Sequence, residues 1–78
     1  MSGVTEEDFA RAVSAQVRRL LEERGLSGNQ LAKATGLEQT GVARKLRGTG
    51  AFTLNDLDTI CSTLGVKVSD LMEWAQQS

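Results

Sequence analysis

Histidine is absent from the 78-residue chain and cysteine occurs once, at Cys61. Neither a transition-metal cluster nor a Ser-His or Cys-His nucleophile can be assembled from that set, so no cofactor, metal or enzyme activity is expected. A lone cysteine also forms no internal disulfide, and its place among Leu57, Ile60 and Leu64 marks it as a buried small hydrophobe. Proline is missing altogether and aromatics make up 4% of residues, a balance that suits a compact all-helical fold better than a strand-rich one. Eight glycines provide the punctuation instead. No apolar run approaches the ~18 residues of a membrane span. Near the N-terminus stand Glu6, Glu7 and Asp8, where a signal peptide needs positive charge, so the expected location is the cytoplasm, with no membrane partner. At this length residues 1–78 are expected to form a single domain with one small core.

The net charge of −1 argues against a strongly basic coat, but it conceals a pattern. Both ends are acidic. Residues 25–50 hold Lys33, Arg44, Lys45 and Arg47 against Glu38 alone, and a positive face confined to one stretch is what phosphate binding at one surface needs.

That stretch, Gly28–Gly48, reads GNQLAKATGLEQTGVARKLRG and has the pattern of a helix-turn-helix. Gly36 separates two short segments of helical apolar spacing and can take a positive φ that would cost a residue bearing Cβ roughly 1 kcal/mol or more. Before it, Leu31 and the small Ala32 permit a close, steep helix crossing. After it, Val42 and Leu46 at i, i+4 share one face, while Gln39, Thr40, Arg44, Lys45 and Arg47 are left for the others. On spacing alone the alternative is a plain αα-corner with a solvated outer face.

Taken in order, the chain predicts five helices. Thr5 can cap the first, over about 5–24, with acidic residues in its opening turn and a stripe of Phe9, Val13, Val17 and Leu20. Ser27 with Gln30 makes a capping box for a helix at about 28–34. The N–H groups there suit a phosphate held by Ser27, Gly28 and Asn29; capping alone is the other reading. A third helix spans about 38–47 and ends at Gly48. Thr53 and Asp56 open a fourth, with Leu54, Leu57, Ile60, Cys61 and Leu64, closing at Gly65. Ser69 caps the fifth, which carries Leu71, Met72 and Trp74.

From about Val13 to Leu71 this arrangement resembles the phage-repressor type of DNA-binding domain, the Cro/C1 or Xre-like family. The resemblance rests on RRLLEERGLS leading to Leu31-Ala32, Gly36 before Leu37, Val42, the Arg47-Gly48 close and LGVKVSDLM. It implies an all-α, five-helix lambda-repressor-like fold and a sequence-specific transcriptional regulator, most simply a repressor, bound to double-stranded DNA. It also implies that Gln39, Thr40, Gly41 and Arg44 meet base edges in the major groove. Glutamine suits adenine and arginine guanine, whereas Gly41 reads nothing except by permitting close approach. Arg47 and Thr49 fall where the following loop tracks phosphates, and Lys45, which departs from a usually apolar position, adds another phosphate contact. Where many members place an arginine in helix one and a glutamate late in helix three as a buried pair, this chain has Leu21 and Leu46, which suggests an apolar contact between them.

Members act mainly as dimers on paired half-sites. Here Leu71, Trp74 and the start of helix one serve either a homodimer patch or the domain's own core. The acidic balance and Gly41 leave a second function open: a protein-interaction module or antitoxin-like adaptor that keeps the fold.

Overall fold

The computed structural model describes residues 6–77, which form five α-helices and no strand: α1 (Glu6–Arg24), α2 (Gly28–Thr35), α3 (Gln39–Leu46), α4 (Leu54–Leu64) and α5 (Val68–Gln77). The expected Thr5 cap lies outside the described residues. None of these helices is long and apolar enough to cross a membrane.

The apolar stripe of α1 becomes one wall of the core. Val13, Val17, Leu20 and Leu21 are buried there, with Phe9 only half-buried at the helix start. Against them pack Leu31 and Ala32 of α2, Val42 of α3, Leu57, Ile60, Cys61 and Leu64 of α4, and Leu71 and Ala75 of α5. Cys61 is 1% exposed. Burial, with the Asp58 carboxylate adding to it, pushes the thiol pKa up and keeps the sulfur an unreactive packing group.

Both capping boxes form: Ser27 Oγ accepts from Gln30 N–H at 3.1 Å, and Thr53 Oγ1 accepts from Asp56 N–H at 3.0 Å, each answered by the reciprocal bond. The fifth helix corrects its expected cap. It opens at Val68, where the Lys67 carbonyl accepts from Asp70 and Leu71 N–H, so Ser69 lies inside the first turn. For Leu71 the structure selects one of the two alternatives. With no exposed surface it is a core residue and cannot form a dimer patch, whereas Trp74 is 38% exposed and lines a cleft with Gln16, Arg19, Leu20, Glu23 and Gln77.

Two arginines of α1 fasten the ends of other helices. Arg18 donates to the Leu46 carbonyl in the last turn of α3, and Arg24 donates to the Leu64 carbonyl at the end of α4. A helix leaves its last carbonyls without intrahelical donors and carries partial negative charge there, so a guanidinium answers both.

Ser14 is the exception in the core. Its hydroxyl is buried, and among the described residues it is the one buried side-chain polar group without a hydrogen-bond partner. Removing an unsatisfied hydroxyl and inserting the best helix former should stabilise. Ser14→Ala is expected to add about 1 kcal/mol, a rise in Tm of roughly 4–8 °C for a chain of this size; a lower Tm in thermal unfolding would show that the hydroxyl is satisfied.

Candidate nucleic-acid interface

The geometry of the α2–α3 corner follows from Gly36. It takes φ 78°, in the left-handed region, and its N–H donates to the Ala32 carbonyl at 2.9 Å, closing α2. Thr35 Oγ1 donates back to the Leu31 carbonyl and accepts from Leu37 N–H at 3.3 Å, so the turn is held from both sides. Glu38 then opens α3 in extended conformation without a side-chain capping bond. Its carboxylate lies beside Gly41, 3.6 Å from where a Cβ on that glycine would stand. An alanine would therefore fit at Gly41.

On α3, Val42 is buried and Leu46 half-buried, while Gln39, Thr40, Arg44 and Arg47 are exposed. The spacing of Thr40, Arg44 and Arg47 (i, i+4, i+7) makes them one stripe, with Gln39 at its leading edge. The back of this helix is fixed by three other elements. Arg18 of α1 holds the Leu46 carbonyl; Leu46 Cδ1 lies against Gly28 of α2, 2.9 Å from where a Cβ would be. The third tie is Lys45 Nζ to Asp56 Oδ2 of α4, at 2.7 Å.

That tie separates Lys45 from the expected phosphate set. Its side chain is 23% exposed, and its ammonium is turned to α4, where it joins the Thr53–Asp56 capping box. Burial alone would raise the Asp56 pKa; the bonds from Lys45 and from Thr53 N–H outweigh it and hold the carboxyl below its ordinary value.

The other expected residues fall into two groups. Ser27 and Asn29 are exposed at the start of α2. There Ser27 Oγ takes the Gln30 N–H, and the first-turn N–H groups of Gly28 and Asn29 have no intrahelical acceptor. At the other end of α3, Thr49 donates through both its N–H and its hydroxyl to the Arg44 carbonyl, at 3.2 and 2.9 Å. The Arg44 side chain folds along the same loop, its Nε 3.4 Å from where a Cβ on Gly50 would stand. Gly50 is thus the seat of that guanidinium, a role that sequence spacing did not reveal. Arg18, and the tie from the capping residue Asp56 to Lys45, were missed in the same way: the partners lie 28 and 11 residues apart.

Comparison with known proteins agrees with this corner. A family model of the Cro/C1-type helix-turn-helix DNA-binding domain matches residues 16–77. Among solved structures, the clp gene regulator ClgR from C. glutamicum superimposes with a TM-score of 0.80 over 88% of this chain and 90% of its own, at 23% identity, a likeness of fold. An HTH_3 family transcriptional regulator from Vibrio cholerae gives 0.82 at 27% identity, over 94% of this chain and 42% of its own. The restriction-modification controller protein C.AhdI from Aeromonas hydrophila gives 0.73 at 25% identity, over 82% and 96%. No curated protein matches the sequence significantly. With most of its length covered by the family model and its two central helices in the matching geometry, the chain belongs to the Cro/C1-type helix-turn-helix DNA-binding domains.

Proposed function

We propose that the protein is a sequence-specific transcriptional regulator, most simply a repressor, that reads the major groove with α3. The observation that carries this is the exposed stripe Gln39, Thr40, Arg44 and Arg47 on a helix held from behind by α1, α2 and α4. A rigid support is what converts a set of polar side chains into a reader, because base discrimination depends on fixed donor and acceptor positions.

In this reading Arg44 pairs with guanine O6 and N7, Gln39 with adenine N6 and N7, and Thr40 meets a thymine methyl. Gly41 brings no reading group and leaves room beside the groove wall. The first turn of α2, with Ser27, Gly28 and Asn29, anchors one phosphate, and Arg47 with Thr49 anchors another across the groove. Lys45 acts instead as the strut to α4. The protein works at the nucleoid as a homodimer on half-sites about 34 Å apart, the usual spacing for this kind of reader. Its contact surface draws on Trp74 and the start of α1 and leaves Leu71 in the core.

Selection of bound sites from random duplexes tests the reading, with Arg44→Ala and Arg47→Ala run alongside. Arg44→Ala should lose about 1–3 kcal/mol of discrimination at one base pair per half-site. Arg47→Ala should weaken all sequences alike and reduce the salt slope by about 0.9. Absence of any salt-dependent DNA complex would favour the protein-interaction adaptor; DNA affinity untouched by both substitutions would overturn the assignment of these two residues.

A further inference from the structure

Glu38 is the one acid between residues 25 and 50, and it stands at the tip of the proposed reading helix. It is exposed, and its side chain makes no capping bond, although serine, threonine, aspartate or asparagine at this position would cap α3. The carboxylate is turned along the helix instead. Its Oε1 is 3.6 Å, and the Glu38 Cβ 4.0 Å, from where a Cβ on Gly41 would stand, so the side chain lies over that glycine. Gly41 precedes Arg44 by three residues and shares its side of α3; Glu38, Gly41, Arg44 and Lys45 line one groove of about 140 Å³. Neither cation of the groove pairs with the carboxylate. Lys45 is bound to Asp56, and Arg44 lies along Gly50 at the far end of the helix.

A carboxylate offers acceptors only, and beside a phosphate backbone it is repelled whatever the sequence. A donor on a base edge is what rewards it. The major groove presents two, the N4 amino group of cytosine and the N6 amino group of adenine; adenine sets its N7 acceptor beside the donor, whereas cytosine does not. A carboxylate at the tip of α3 therefore favours cytosine and works against the acceptor edges of guanine and thymine. Glycine at position 41 leaves the carboxylate its place. An alanine there makes ordinary contact at 3.6 Å, while a longer side chain would reach into the space that the carboxylate occupies.

We infer that Glu38 is a specificity-determining residue of the DNA contact, its carboxylate accepting a hydrogen bond from the N4 amino group of a cytosine over the gap at Gly41. This rests on the DNA-binding reading above, and the experiment separates the two. Sites are selected from random duplexes with the full chain as wild type, Glu38→Ala and Glu38→Gln; affinities are then measured for all four bases at each selected position, with thermal unfolding of each protein. Wild type should prefer cytosine by about five- to tenfold at one position outside the Arg44 base pair. Glu38→Ala should lose that preference alone, and Glu38→Gln should shift it toward adenine, whose N6 and N7 an amide can pair. N4-methylcytosine at the position keeps its pairing with guanine but sets a methyl where the outer amino hydrogen stood. It should weaken wild type by a similar factor and leave Glu38→Ala unaffected. Glu38→Ala that binds every sequence more tightly with its base preferences unchanged reduces Glu38 to a repelling charge and overturns the cytosine contact alone; so does a loss of preference at all positions together with a lowered Tm. Wild-type protein that binds no duplex overturns the DNA reading and this one with it.

Discussion

Leu46→Glu is expected to destabilise the fold by about 2–4 kcal/mol, measured by urea or thermal unfolding. Natural stability for a chain of this length is about 4–12 kcal/mol, so the loss is a large part of the whole. The cause is position. Leu46 packs against the core, its Cδ1 sits on Gly28, and its own carbonyl is already held by Arg18. A carboxylate there gives up apolar burial and is partly desolvated. Arg18, whose guanidinium is engaged with the Leu46 carbonyl, offsets only part of this. Adding Leu21→Arg tests the proposed Leu21–Leu46 contact, since it supplies the charge pair that the resemblance places at these two sites. Recovery of more than about 1 kcal/mol relative to additivity would establish the contact; strict additivity would refute it, and an unchanged melt for Leu46→Glu alone would refute the packing.

The parts of the fold legible in the sequence are those decided within one or two helical turns. Ser27 with Gln30 and Thr53 with Asp56 are three residues apart, so their capping boxes are local facts, and both form. Gly36 announces a left-handed turn because few other residues tolerate one, and the α1 stripe follows from helical period. Ser69 shows the limit of the same logic. Serine is a good cap by propensity, but Val66 and Val68 pack against the core and the chain enters α5 two residues early, with the Lys67 carbonyl starting the ladder. Leu71 shows another: a stripe of apolar residues at a chain end does not reveal whether it faces its own core or a partner.

The expected site was legible as residue types and incompletely as geometry. Gln39, Thr40, Arg44 and Arg47 are exposed as helix period requires. What positions them could not be read, because each tie crosses between elements: Arg18 to Leu46, Leu46 on Gly28, Lys45 to Asp56, Arg44 over Gly50. Lys45 is the sharpest instance. By sequence, a lysine next to an exposed arginine has the look of a phosphate ligand; in the structure α4 brings a carboxylate to 2.7 Å from its Nζ.

Asp56→Ala should therefore weaken the fold and, under the proposed DNA reading, loosen α3. One carboxylate oxygen, Oδ2, accepts from Lys45 Nζ and from Thr53 N–H, so a single side chain closes the α4 capping box and ties α3 to it. Loss of a cap costs about 1 kcal/mol, and loss of a charge-assisted bond that leaves a partly buried ammonium behind adds about 1.5–3. Thermal unfolding should show a total near 2–4 kcal/mol at pH 7, and a loss below about 0.5 would show that the tie carries nothing. Acid gives a second readout. The folded pKa of Asp56 lies below its unfolded value, so its contribution is complete above that unfolded value, near pH 4, and disappears as pH falls through the folded one. Wild-type Tm should consequently fall more steeply than that of Asp56→Asn below about pH 4, with parallel curves from pH 5 to 7. Since Lys45 lies next to Arg44, the Asp56 variant should also blur discrimination at the base pair proposed for Arg44, under conditions where it remains folded. Unaltered discrimination would mean that Arg18 and Leu46 suffice to hold the reading helix.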